Sequence, residues 1–239
     1  MEAAVWNNAL WCDLICRSHG QSGVFYQHAW LTRGPAPRFY PNLITLTTAA
    51  GDQLEHIQSL LASELPIPWA VKDSFSQLDL TPLGFSPLFA AHWLCRRPDQ
   101  PKPRAALPAI RWAAIQDAQE LAQWETAWGS EPGQPRLFKP ELLADVNIVF
   151  LAGWQGQALV AGAIANRSGD VVGLSNLFAP ENQETDVWAG CLAALIERFP
   201  GLPVVDYEHG PDLVLAQSFG FKIIGPLTNW EARLGAFIP

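Results

Sequence analysis

The chain has 239 residues, 49% of them apolar and 16% charged, with 11 tryptophans. That length suits one large domain or two small ones, and the balance excludes a disordered chain, which would be richer in charge and poorer in aromatic side chains. A net charge of −8 argues against a nucleic-acid partner, because non-specific binding to phosphate backbones needs clustered Lys and Arg; it leaves room for a cationic or amine substrate.

The first residues, Met1-Glu2-Ala3-Ala4-Val5, lack the basic stretch and apolar core of a secretory signal. No apolar run approaches the ~20 residues of a membrane span, so the expected location is cytoplasmic, with no membrane partner. Residues 6–16 read as a helix with Trp6, Leu10 and Ile15 on one face. Cys12 and Cys16 lie one turn apart, but no second Cys or His pair at zinc spacing accompanies them. These and the other two cysteines therefore read as buried free thiols, and no metal is expected. Strands are expected over residues 24–32 and 43–47. A helix follows over 52–65, where Leu54, Ile57, Leu60 and Leu61 recur at helical spacing, and then short strands at 69–72 and 88–94.

Prolines at 98, 101, 103 and 108, interleaved with Asp, Gln, Lys and Arg, mark a connector. It divides the chain into an N-terminal unit over residues 1–97, a linker over 98–106 and a C-terminal unit over 107–239. The run Arg96-Arg97, with Lys102 and Arg104, reads as solvated linker charge. Beyond it a strand is expected at 110–113 and a helix at 117–128, capped by Asp117 and ended by Gly129. Three strands form a meander over 147–154, 158–166 and 171–178, joined through Gln155-Gly156-Gln157 and Ser168-Gly169-Asp170. Trp188, Cys191, Leu192, Leu195, Ile196 and Phe199 make one apolar stripe on a helix, which Pro200-Gly201 ends. A strand at 204–208, a short helix at 212–219 and a strand region at 221–230 complete the order. Gly84-Phe85 leads into an apolar strand running to Trp93, and Gly220-Phe221 into one running to Trp230, which reads as a weak internal repeat.

Strand, helix, three-strand meander, helix, strand, helix, and then Phe219-Gly220-Phe221 opening a strand: in this order residues 107–239 resemble the GNAT (N-acetyltransferase) superfamily, which has an aromatic-flanked Gly-Phe at that place. The resemblance implies an α/β (α+β) fold, a mixed and mostly antiparallel sheet flanked by helices, as a tandem of two related halves with the N-terminal one shortened. It also implies an acetyltransferase that moves an acetyl group from acetyl-CoA to the amine of a small molecule or a protein. In that family the cofactor lies where two parallel strands part. Here the strand ending in Asn176-Leu177-Phe178 would offer backbone groups to the pantetheine arm, and the loop Gln183-Glu184-Thr185-Asp186-Val187-Trp188 would wrap the pyrophosphate at a helix start. The pattern is broken twice. Asp186 and Trp188 stand where the family has small residues, and Ala216 stands where many members carry a tyrosine that protonates the departing thiolate.

Acetyl transfer to an amine needs a base for the ammonium proton and N–H donors for the developing oxyanion. Tyr207, Glu208 and His209, together at a strand end on one lip of the expected cleft, are the candidates, with Glu208 or His209 as base and Tyr207 as proton donor. If the strand stays regular, Tyr207 and His209 point to one side and Glu208 to the other. The same residues also suit a strand end that faces solvent or caps the next helix. Trp124, Trp128 and Phe138 either line an acceptor pocket or fill the core. His19, His28, His56 and His92 are scattered one per element, and there is no Gly-x-Ser-x-Gly elbow, Walker A loop or dinucleotide fingerprint. The alternative function, motivated by Asp186, Trp188 and Ala216, is a catalytically inactive GNAT-like binding or regulatory module. A homodimer is left open.

Overall fold

The computed structural model describes residues 1–61, 69–103, 110–131 and 133–232. Two compact units divide the chain, one of residues 1–93 with 224–232 and the other of residues 94–223.

The first unit opens with α1 (Glu2–Ser18). Its buried face is Val5, Ala9, Cys12 and Cys16, flanked by Trp11 and Ile15, at the three- and four-residue spacing of a helical stripe. Trp6 and Leu10, expected to share a face with Ile15, point outward at 41% and 40% exposure. At about 100° per residue Ile15 is half a turn away from Trp6, so the three cannot form one stripe. Trp6 instead stacks on Phe25, ring centres 5.5 Å apart. Residues 24–32, expected as one strand, form a hairpin of β1 (Val24–Phe25) and β2 (Ala29–Leu31), closed by the Tyr26 N–H donating to the Ala29 carbonyl at 2.8 Å.

β2 pairs antiparallel with β3 (Leu43–Thr45); α2 (Ala50–Leu61) then leads to β4 (Ala70–Asp73), parallel to β3. Ile57 is fully buried and Leu54 packs against the same core. The side chains of Leu60 and Leu61, and the expected helix end at 62–65, lie outside the described residues. β5 (Phe85–Arg96) is longer than the expected 88–94, and its residues 94–96 belong to the second unit.

That second unit carries β6 (Arg111–Ala114), α3 (Ala118–Trp128), β7 (Ile148–Gln155), β8 (Ala158–Ser168), β9 (Val171–Phe178), α4 (Glu184–Arg198), β10 (Val204–Glu208) and α5 (Gly210–Ser218). Asp117 caps α3 by accepting the N–H groups of Gln119 and Glu120 at 2.9 Å, and left-handed Gly129 ends it, as the sequence predicts. β6 to β9 form an antiparallel meander and β10 joins β9 in parallel. One sheet face packs Val149, Leu151, Val172 and Leu174 against Trp188, Cys191, Leu192 and Leu195 of α4. On the other, Trp124 of α3 is fully buried, donates its ring N–H to the Leu151 carbonyl at 2.8 Å, and packs edge-on against Phe138, Phe150 and Phe178. Trp124 and Phe138 therefore belong to the core. Fully buried Glu125 accepts the Leu137 N–H at 2.7 Å and the Ser130 hydroxyl at 3.1 Å, which ties Ser130 and Leu137 to α3.

Of the expected linker, residues 98–103 are described and 104–106 are not. Arg96, read as solvated charge, is 2% exposed. Its guanidinium donates to the Phe219 carbonyl at 2.8 Å and to the Pro101 carbonyl, so carbonyl oxygens replace the water that a buried cation loses. Arg97 and Lys102 stay at the surface, paired with Asp99 and Glu197.

The last strand, β11 (Lys222–Ala232), ends in the first unit, where Thr228 to Glu231 pair antiparallel with β4. Each unit thus holds a mixed, mostly antiparallel sheet with flanking helices, the α/β class read from the sequence, and each contains a strand–helix–parallel strand turn: β3-α2-β4 and β9-α4-β10. Cys12, Cys16 and Cys191 are buried free thiols, as expected, and Cys95 is half-buried. Among the described residues no helix is long and apolar enough to cross a membrane.

Candidate active site

β9 and β10 run side by side for two residue pairs, Val172 with Val204 and Gly173 with Val205. Beyond these the register has no further pair among the described residues, although β9 continues to Phe178 and β10 to Glu208. A gap therefore opens between residues 174–178 and 206–208, at the sheet end where α4 and α5 begin. Backbone groups along it are not claimed by a ladder between these two strands, and a ligand can take them.

The gap is bordered by a bulge. β8 pairs Ile164 with Ser175 and Gly162 with Phe178, so two steps on β8 span three on β9. The additional residue is Asn176, in the left-handed region at φ 52°, which Asn enters at less cost than most side chains. A one-residue insertion reverses the alternation of side chains. Val172 and Leu174 face α4 before it. After it Leu177 packs against that same core, and Phe178 goes to the opposite face against Trp124, 5.2 Å between ring centres. On this segment the Ser175 hydroxyl is buried without a hydrogen-bond partner.

The other lip is the tip of β10. Asp206, 8% exposed, accepts the N–H of Tyr207 at 2.7 Å. Burial, and then the neighbouring Glu208 carboxylate, push its pKa well above the usual carboxylate range. Glu208 is half-buried; burial first and Asp212 second raise its pKa to about 7. A carboxyl that titrates near neutrality can both take and return a proton there. Cys191 lies close enough to Asp206 that burial and this carboxyl together push its thiol far up, which leaves it inert. β10 ends at Glu208, and His209 becomes the N-cap residue of α5 without a side-chain capping bond. The structure thus keeps Glu208 and Tyr207 at the gap and assigns His209 to the helix start. Asp206 was not anticipated; its two-residue offset from Glu208, which puts both on one strand face, was the available signal.

The loop residues separate in the same way. α4 begins at Glu184, with Gln183 as N-cap and no side-chain capping bond. Val187 and Trp188 are 0% and 2% exposed and belong to the core instead of the loop surface. Trp188 lies against Phe219 and edge-on to Phe221, so the Phe219-Gly220-Phe221 turn packs on a tryptophan where the resemblance leads one to expect a small residue. Ala216 is fully buried beneath this turn, and its carbonyl accepts the Phe221 N–H at 3.3 Å. Asn182 is left-handed at φ 63°, and its N–H donates to Oε1 of Glu184 at 3.2 Å. The Gln183 N–H donates to the Pro180 carbonyl at 3.1 Å. No Lys or Arg occurs between Arg167 and Arg198. For acetyl-CoA the two ends of the site differ: the gap suits a pantetheine arm, whereas the loop, with two amides engaged and Glu181, Glu184 and Asp186 around them, does not suit a pyrophosphate. Among the described residues no His, Cys, Asp and Glu group could hold a metal ion.

No protein-family model matches the sequence, and no curated protein matches it. Solved structures do share its fold. A GCN5-related N-acetyltransferase from Kribbella flavida superposes with a TM-score of 0.68 at 14% identity, over 98% of this chain and 97% of that one. Another from Sphaerobacter thermophilus gives 0.60 at 12%, over 100% and 96%. A functionally unknown conserved protein from Staphylococcus epidermidis gives 0.66 at 10%, over 89% and 94%. The fold is that of the GCN5-related N-acetyltransferases, as the order of elements implied. At these identities the chemistry has to be read from the cleft of this chain.

Proposed function

We propose that the chain is a GNAT-type N-acyltransferase of the cytoplasm, which moves an acetyl group from acetyl-CoA to the amine of a small molecule or a protein. The observation that supports this reading is Glu208, a half-buried carboxyl at the parted ends of β9 and β10 whose pKa burial raises to about 7. Acetyl-CoA would supply the acyl carbonyl, activated as a thioester. The acceptor arrives as an ammonium ion, and Glu208 takes its proton to free the nitrogen lone pair. Asp206, its pKa raised by burial and by Glu208, lies on the same strand face as Glu208. Backbone N–H groups of residues 176–178 suit the acyl oxygen as charge develops on it. Tyr207 is the proton donor available to the leaving thiolate, since Ala216 has none to give.

The test is amine-dependent release of CoA thiol, measured with the purified chain over a panel of primary amines and lysine peptides. Wild type should turn over with at least one acceptor, and Glu208→Gln should lose about 100-fold or more in kcat/KM. Absence of release with every acceptor sinks catalysis. A second reading, an inactive GNAT-like binding or regulatory module, is favoured by the contact between Glu184 and the Asn182 N–H; it requires that no acceptor provoke thiol release.

A further inference from the structure

We propose that Glu184 occupies the place of the donor's pyrophosphate, so that the chain recognises an acyl donor by its thioester and pantetheine end and is nearly indifferent to the nucleotide end. The proposal rests on the acyltransferase reading above and refines its donor class.

Acidic side chains at a helix start are ordinary, because they complement the positive end of the macrodipole. Glu184 does more than that. Its carboxylate reaches back to the N–H of Asn182 at 3.2 Å, a group that the left-handed Asn182 backbone, φ 63°, presents toward the helix start. An incoming phosphate that sought this N–H would have to displace a tethered carboxylate to reach it. The next amide, Gln183, is held by the Pro180 carbonyl at 3.1 Å.

Charge acts in the same direction. Glu181, Glu184 and Asp186 surround the loop, and the chain has no Lys or Arg from residue 168 to residue 197, so strand, loop and helix start offer no cation of their own. Like charges a few ångströms apart at a wet surface weaken an interaction by roughly several-fold per pair. The neutral pantetheine arm meets none of these obstacles. Its side of the site keeps the parted strands, the Asn176 bulge and the unmatched Ser175 hydroxyl.

The experiment is calorimetric titration of wild type, Glu184→Ala and Glu184→Gln with acetyl-CoA and with S-acetyl-pantetheine, each variant first checked for an unchanged thermal transition. Wild type should bind the two thioesters within about threefold of one another, and Glu184→Ala should tighten acetyl-CoA about tenfold while leaving S-acetyl-pantetheine unchanged. Glu184→Gln, which removes only the charge, should move acetyl-CoA in the same direction and covers the case in which the alanine variant fails to fold. The proposal is overturned if wild type prefers acetyl-CoA by about thirtyfold or more, or if neither substitution alters the ratio. Failure of all three proteins to bind either thioester removes the acyltransferase reading itself, and the proposal falls with it.

Discussion

Trp188 lies nearly parallel to Phe219, ring centres 6.1 Å apart and planes 10° from coplanar. A position that the family resemblance assigns to a phosphate loop is here a pillar under the Phe219-Gly220-Phe221 turn. Trp188→Gly, which restores a small residue, should therefore not create a nucleotide site. It should cost about 3–5 kcal/mol, as expected for emptying a buried aromatic site, read as a lower urea midpoint. A midpoint close to wild type would show that the ring is not needed by the core.

If Glu208 is the base of the proposed transfer, stability and activity should run in opposite directions with pH. Its pKa is raised from 4.5 to about 7, so between those values the folded chain holds a proton that the unfolded chain has released. Stability then falls as pH rises through that window. Asp206 is raised too, by burial and by Glu208, so Glu208→Gln should remove only part of the slope. The variant should match wild type near pH 4.5 and exceed it above pH 7, measured as urea midpoints across the range. Transfer by wild type should climb over the same interval as the base ionises. A stability profile that rises toward neutral pH would contradict the burial of this carboxyl.

The bulge gives a third prediction. Asn176 sits at φ 52°, where a β-branched side chain is strained and glycine is not. Asn176→Gly should stay within about 0.5 kcal/mol of wild type, whereas Asn176→Val should lose about 1–2 kcal/mol and weaken acetyl-thioester binding. Chemical denaturation and calorimetry check the two parts separately. A valine variant as stable as wild type would rule out a left-handed residue at this position.

Local signals carried much of the fold into the sequence. The Asp117 cap, the Gly129 stop, the glycine turns at Gly156 and Gly169 with φ 62° and 53°, and the apolar stripe from Trp188 to Phe199 all depend on residues near in sequence. What stayed hidden depends on distant ones. Nothing around Asn176 marks it as an inserted residue; β8 decides that by pairing Ile164 with Ser175 and Gly162 with Phe178. Residues 24–32 hold their turn at Gln27-His28, which lacks the Gly or Pro that announces one. Arg96 looks like surface charge until the Phe219 and Pro101 carbonyls meet it. In the candidate site Glu208 was legible as a carboxyl at a strand end, but its pKa comes from burial and from Asp212, and Asp206 read as an unremarkable strand residue until burial singled it out.

The pairing of β4 with Thr228 to Glu231 has a consequence for synthesis. Residues 70–73 leave the ribosome more than a hundred and fifty positions ahead of their partners, an interval of roughly ten to thirty seconds at ordinary elongation rates. Through that time one margin of β4 stands bare, an invitation to strands of other chains. A transcript truncated before Thr228 would still encode residues 94–223 in full, yet its product would keep that margin open for good. Closure of the first unit therefore waits for residues 228–231, and until they emerge a holding chaperone would find its client in the nascent N-terminal segment.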